Sequence, residues 1–313
     1  MAHHRVAATP DTIHWGTFSA GYKPVLTIQS GDTVTLECVS GAPAMMPPPE
    51  LGLTIPPALS AIHAKHSSRL GAHILTGPVA VAGAEPGDVL EVRVDRIDLG
   101  AEWGFTAFRP LGGTIPEDFP YSHISHIKVD RAARTCSPPW GGQIPLSPFF
   151  GVMGVAPRPE YGILSTKEPR EHGGNLDNKE LGAGSVLYLP VWTKGANFSA
   201  GDGHGVQGDG EVCINALEMA LTGTFTLVLH KGSGLIFPRG ETATHYISMG
   251  LNEDLDQAMK QALREMIAFI VARSNLSAAQ AYQFCSLAVD FRVTQTVNGE
   301  KGVHGMLKKG LLF

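Results

Sequence analysis

The segment Gly201-Asp-Gly-His-Gly-Val-Gln-Gly-Asp-Gly-Glu211 places one imidazole, three carboxylates and one carboxamide within eleven residues, with glycine at nearly every other position. Nothing else in the chain is as dense in groups that ligate metals or carry protons. Alternating glycines let a backbone enter tight turns at positive φ, so that short acidic side chains converge on one point. Oxygen and nitrogen donors gathered this way suit a hard or borderline divalent cation. A solvated surface loop has a similar composition. Against that stand two apolar runs, Val186-Leu-Tyr-Leu-Pro-Val191 upstream and Val212-Cys-Ile-Asn-Ala-Leu217 directly after, which read as core elements gripping a loop.

A second polar cluster, Gly173-Gly-Asn-Leu-Asp-Asn178, is also glycine-flanked and precedes a strand-like run. Asp177 could complete a metal site with His204, although Gly-Gly-Asn also describes an ordinary turn. His73 lies among apolar neighbours in Gly71-Ala-His-Ile-Leu-Thr-Gly-Pro78, where a lone histidine is more often a satisfied core residue than a ligand.

These groups need a scaffold, and the pattern around them is β-rich. Thr33-Val-Thr-Leu-Glu-Cys-Val39 and Val89-Leu-Glu-Val-Arg-Val-Asp-Arg-Ile97 alternate apolar with polar side chains, each after a Gly-Asp turn. With 37 glycines and 22 prolines, the composition suits short strands joined by tight turns. Ala42 to Pro57 and Trp103 to Pro120 read as long connections. Helical spacing takes over late: Leu255, Met259, Ala262, Met266, Ile267, Ile270 and Val271 share one helical face that should pack on a sheet. Ser277-Ala-Ala-Gln280 has the form of a capping box opening a second helix through Ala281, Phe284, Cys285 and Ala288. Phe291 to Val297 is strand-like and a short tail follows. No internal repeat occurs at solenoid spacing.

With 24 basic and 29 acidic residues among 313, the net charge of −5 is spread without blocks, which excludes an electrostatic footprint for nucleic acid or an anionic membrane. No run approaches the ~20 apolar residues of a membrane span, and Met1-Ala-His-His-Arg5 lacks the apolar segment of a secretory signal, so a cytoplasmic location is expected. The four cysteines, Cys38, Cys136, Cys213 and Cys285, form no Cys-x-x-Cys pair and read as reduced thiols. A small neutral partner is the natural default, and the long connections suggest subunit contacts in a homo-oligomer, a dimer or an assembly of dimers.

Five segments in order, Leu75-Thr-Gly-Pro78, Gly83-Ala-Glu-Pro-Gly-Asp88, Phe150-Gly-Val-Met-Gly-Val-Ala-Pro157, Gly173-Gly-Asn-Leu-Asp177 and Gly201 to Glu211, together resemble the acetamidase/formamidase family, over about Trp15 to Phe313. The resemblance implies a mainly β (α+β) fold: a jelly-roll-like β-sandwich body, residues 1–170, with residues 171–313 carrying metal-site loops and a smaller C-terminal α/β part, packed as one compact unit. It implies hydrolysis of short aliphatic amides to carboxylate and ammonia with a divalent metal, zinc first, and an additional calcium in some members. The family's polar motif positions fall on His73, Asn175, Asp177, Asp202, His204, Gln207, Asp209 and Glu211, and the motif text leaves open which of them touch the metal. Gly205 stands where the family often has alanine and Leu176 where methionine is frequent, which bears on the pocket wall.

Amide hydrolysis needs an activated water, an electrophile on the carbonyl oxygen and a proton for the departing nitrogen. His73, Asp177, Asp202, His204 and Asp209 are the candidate ligands, Glu211 the general base and acid, and Asn175 and Gln207 the groups to hold the amide or its developing oxyanion. A thiol mechanism would use Cys213, whose neighbours Val212 and Ile214 are those of a buried strand thiol. Gly232-Ser-Gly234 after Lys231 is a thin case for a serine nucleophile. The reading from another class is a metal-stabilised sandwich that binds a small ligand without turnover.

Overall fold

The computed structural model describes residues 1–312; Phe313, the last residue of the segment above, lies outside them. The chain is mainly β with a small helical part. A nine-stranded sheet runs in the order His3–Val6, Thr33–Cys38, Leu221–His230, Val89–Leu99, Val186–Pro190, Arg239–Glu241, His245–Asn252, Lys301–Lys308 and Val289–Gln295. A second sheet orders Gly173–Asn175, Phe149–Gly154, Phe198–His204, Ile74–Val81 and Ile13–Trp15, with Leu26–Ile28 also paired to Ile74–Val81. A four-stranded sheet built on Trp103–Phe108 and His123–Asp130 completes the body.

The two larger sheets share one core, in which Val34, Leu36, Leu90, Val92 and Leu227 of the first meet Val79, Phe150, Phe198 and Ala200 of the second. Phe225 of the large sheet packs on both Phe150 and Phe198, ring centroids 5.4 Å apart in each pair. Such aromatic contacts add to the burial of apolar area that holds a sandwich together. Strands from before and after residue 170 interleave, since Leu221–His230 lies between Thr33–Cys38 and Val89–Leu99.

The helix Leu255–Arg273 lies on His245–Asn252 and Lys301–Lys308, burying Ala258, Ala262, Met266, Phe269 and Ile270, while Val271 is turned outward. Gly250 makes that contact close, because a Cβ there would run into the Ala258 carbonyl and lie 2.5 Å from the Ala262 nitrogen. The helix Ala278–Ala288 opens with the capping box at Ser277 and Gln280. The tail forms the strand Lys301–Lys308, paired on both sides.

Two local expectations give way. Gly201 to His204 belong to the fully buried strand Phe198–His204 rather than to a loop, and Val212 to Leu217 form turns, with Val212 61 % exposed, rather than a core strand. The reason lies in spacing: at Gly201 and Gly203 it is room rather than φ that demands glycine. A Cβ on Gly201 would meet the Ile74 carbonyl, and one on Gly203 would lie 2.5 Å from the Met219 carbonyl oxygen and 2.7 Å from Leu221 Cγ. Gly203→Ala is therefore expected to destabilise the protein by about 1–3 kcal/mol. Gly208→Ala, with nothing within 4 Å of its Cβ, should leave the thermal midpoint unchanged. Paired melting curves followed by circular dichroism check this.

Candidate metal centre and active site

The strand Phe198–His204 delivers Asp202 and His204 to one buried point, and the neighbouring strand Phe149–Gly154 passes beneath it at Gly151. A Cβ on Gly151 would collide with Asp177 Oδ1 and lie 2.5 Å from Asp202 Oδ2 and 2.8 Å from His204 Cε1. Glycine there is what lets three polar side chains occupy the same space. Asp177 follows the strand Gly173–Asn175 and is fastened by its own N–H donating to Gly151 O at 3.1 Å and by Asn298 Nδ2 donating to its Oδ2 at 2.5 Å. Glu218 is held by a two-way backbone bridge to Phe105, 2.8 and 2.9 Å, at the edge of the four-stranded sheet. Glu211 follows Gly210, whose N–H donates to Thr294 O at 3.0 Å.

Three of these acids, Asp177, Asp202 and Glu211, have φ of 47°, 56° and 44°. A non-glycine residue in the left-handed region costs about 1–3 kcal/mol when its surroundings impose it, and such residues cluster at functional sites.

His204 is fully buried and surrounded by acid. Its Nε2 is 3.3 Å from Asp202 Oδ2 and 3.4 Å from Glu218 Oε2, and its Nδ1 is 3.7 Å from Asp177 Oδ1. Gln207 Nε2 donates to the Asp177 carbonyl at 2.8 Å, so its Oε1 faces His204 and accepts from Nδ1–H at 2.9 Å. That leaves Nε2 as the free nitrogen, and it is a buried atom with no hydrogen-bond partner. One ligand atom each from Asp202, His204 and Glu218 fall within 4.8 Å of one another, and so do those of Asp177, His204 and Glu211. Two carboxylates and an imidazole nitrogen without a partner fit a divalent cation, with Gln207 fixing the ring as outer partners of metal-bound histidines do. His73 Nε2 stands 3.8 Å from Asp202 Oδ2 while its Nδ1 is 2.9 Å from Thr166 Oγ1, so it borders the same cluster.

The titration behaviour follows from crowding. Burial opposes a charge on His204, but the Glu218 and Asp202 carboxylates outweigh it and raise the imidazole well above its usual value. Burial pushes Asp202 up, and His73 with His204 more than offset that, leaving it below the usual carboxylate range. Glu211 is raised well above the ordinary range by burial and then by Asp177, and Asp177 is raised by burial with a contribution from Asp202. Asp177 Oδ1 and Glu211 Oε2 are both buried without a partner, which a proton held between the two carboxyls would satisfy.

The cluster opens into a cavity of about 110 Å³ lined by Asn175, Asp177, Asp202, Glu211 and Glu218, with His73 and Asn298. That is room for a few waters or a very small organic molecule, at about 30 Å³ per water. Wider clefts of about 290 and 320 Å³ flank it, the first lined by Trp140, Val212 and Cys213 and the second by Met45, Phe108 and His123.

Of the residues singled out from sequence, His73, Asn175, Asp177, Asp202 and Glu211 line this cavity, and His204 is buried against its acids. Asp209 does not: it points away and pairs with Lys179 at 3.0 Å, with about a third of its side chain exposed. Both ends of the Gln207 carboxamide are engaged, Oε1 with His204 Nδ1 and Nε2 with the Asp177 carbonyl, so it positions His204. Cys213 sits in a turn, half-buried, its sulfur near the Asn215 carbonyl (3.4 Å) and the Thr106 hydroxyl (3.6 Å), without a base to draw off its proton among the described residues. Glu218, Asn298 and Asn215 escaped the sequence reading. Glu218 had a signal, a lone acid inside the apolar run Ala216-Leu-Glu-Met-Ala-Leu221, whereas Asn298 in Val297-Asn-Gly299 looks like any hairpin turn. Glu218→Ala and Asp202→Ala are each expected to abolish stoichiometric divalent-cation content in elemental analysis, and Asp209→Ala to leave it unchanged.

Known proteins show which family the chain falls in. The chain aligns with a formamidase of Methylophilus methylotrophus, 32 % identical over 202 residues, 47 % of this chain and 49 % of that one. It also aligns with an acetamidase of Mycolicibacterium smegmatis, 29 % identical over 206 residues, 47 % of this chain and 51 % of that one. The alignments thus span about half the length of these curated relatives. Among solved structures, an acetamidase from Bacillus halodurans superposes with a TM-score of 0.84 at 29 % identity, covering 97 % of each chain. An acetamidase from Yersinia enterocolitica gives 0.83 at 28 % identity, covering 99 % of this chain and 93 % of that one. Residues 18–164 and 163–301 match the Acetamidase/Formamidase family, and the chain belongs to it.

Proposed function

We propose that the chain is a metal-dependent amidase that hydrolyses short, uncharged aliphatic amides such as acetamide and formamide to the carboxylate and ammonia. The observation that carries this reading is the buried His204 Nε2, without a hydrogen-bond partner and set between the carboxylates of Asp202 and Glu218, two residues that line a cavity sized for a few heavy atoms. His204, Asp202 and Glu218 hold the cation, with His73 at its border. Zinc is the reading for the metal, since one imidazole with two carboxylates is a donor set it takes readily. When bound, the cation supplies an electrophile for carbonyl oxygen and lowers the pKa of water.

The protein groups do the rest. Asn175 Nδ2 is tied to Lys167 O at 3.1 Å, and its buried Oδ1, which has no partner, accepts an N–H of the substrate amide. Glu211, whose carboxyl is raised well above the ordinary range by burial and then by Asp177, gives its proton to the departing nitrogen and recovers one from water. Asp177 works with Glu211 as a carrier of that proton. Asp177 also stands with His204 and Glu211 in the second group of donors, so it remains a candidate ligand.

Leu111, Ile115 and Phe119, all exposed on the connection after Trp103–Phe108, which is a strand and not part of that connection, support a homo-oligomer, a dimer or an assembly of dimers. The free cysteines suit a cytoplasmic location.

Ammonia release from acetamide or formamide by metal-loaded protein, lost on chelation and restored by the cation, is the expected result; metal-loaded protein that releases none sinks the reading. Glu211→Gln should keep its metal while kcat drops by roughly 10²–10⁴-fold. Multi-angle light scattering should give at least twice the mass of one chain, and a monomer mass would rule out the assembly.

A further inference from the structure

The wall of the small cavity is polar on most sides, and its apolar part comes from Leu70, Ala72, Ile214 and Val297. Ile214 is unusual among them. It is β-branched and yet has φ of 79°, a region that branched side chains enter only under strong constraint. The turn that imposes this is closed by Ile214 N–H donating to Glu211 O at 3.0 Å, so one turn aims the Glu211 carboxyl and places Ile214 on the wall beside it.

The turn is braced from outside. Thr114 N–H donates to Val212 O at 2.9 Å, the Thr114 and Thr296 hydroxyls meet at 2.5 Å, and Gly210 is paired to the strand Val289–Gln295 through Thr294. The Ile214 side chain reaches toward the neighbouring Arg109–Gly113 turn, where a Cβ on Gly112 would lie 3.2 Å from Ile214 Cδ1. Gly112 has no positive φ, so what its missing side chain provides there is space. Ile214 therefore fills the gap between the cavity and that turn, and Gly112 fixes how far out it can stand.

We propose that Ile214 sets the length of acyl chain the cavity admits, as a rigid wall whose position is fixed by Gly112. The inference rests on the amidase reading above and names the residue that limits its substrates. Shortening residue 214 opens the cavity toward the Arg109–Gly113 turn, and adding a methyl at residue 112 pushes Ile214 inward. A single methylene in such a pocket is worth roughly 10–200-fold in kcat/KM.

The test is kcat/KM for formamide, acetamide, propionamide and butyramide with metal-loaded wild type, Ile214→Ala, Ile214→Gly and Gly112→Ala. Ile214→Gly guards against misfolding, because glycine adopts a positive φ without strain. The butyramide-to-acetamide ratio should rise by roughly 10-fold or more in both Ile214 variants, whatever happens to the absolute rate, and should fall in Gly112→Ala. An active wild type whose ratio is unchanged in folded Ile214→Gly overturns this inference alone. A wild type that releases no ammonia from any of the four amides overturns the amidase reading and this inference with it.

Discussion

Four buried carboxylates, Asp177, Asp202, Glu211 and Glu218, crowd one buried imidazole, and they cannot all be ionised without a compensating positive charge. Charge removed from water is strongly penalised unless it is paired and hydrogen-bonded. Compensation comes in parts: the His204 imidazole between Asp202 and Glu218, which those carboxylates raise well above its usual value, amide donors from Asn298 and Asn215 to Asp177 and Glu218, and a Glu211 carboxyl raised well above the ordinary range by burial and Asp177. A divalent cation held by the same residues would meet the imbalance with a larger charge. The site's chemistry is a consequence of how this one imbalance is met.

Meeting it requires that the acids come together, and the backbone is arranged for that at some cost. Gly151, Gly201 and Gly203 remove the side chains that would stand in the way, while Asp177, Asp202 and Glu211 accept left-handed backbone angles. Strain of this kind persists only where the surroundings over-determine it. The surroundings here are a sandwich whose two sheets are locked through Phe150, Phe198 and Phe225, so the strand carrying Asp202 and His204 is anchored by Phe198 and Ala200 in a close-packed core. The helices lie at the far end of the large sheet, on His245–Asn252 and Lys301–Lys308. They support the strand pair that carries His304, whose Nδ1 meets the Thr294 hydroxyl at 2.7 Å, and through Thr294 the loop before Glu211.

Local signals were legible where the physics is local. The apolar stripe from Leu255 to Ile270 and the Ser277 capping box became the two helices, because periodicity and capping depend on residues a few positions apart. The strands at Thr33–Cys38 and Val89–Leu99 followed their alternation. The run Val212 to Leu217 misled, since a short apolar stretch reads the same in a strand and in a turn that lines a cavity.

For the site, the sequence by itself determined which chemistry was available: one contiguous segment carries Asp202, His204, Gln207 and Glu211, and proximity along the chain is enough to recognise it. Only the tertiary structure decided the roles. Glu218 joined because its bridge to Phe105 turns it onto His204, Asn298 arrived from a hairpin over a hundred residues away, and Asp209, one residue from a glycine in the same motif, was drawn off by Lys179. Alternating glycines could serve tight turns or close-packed strands equally well in the text of the sequence. What separates those outcomes is the approach of Ile74 and Met219 from distant segments, and steric exclusion of that kind exists only once the chain has folded.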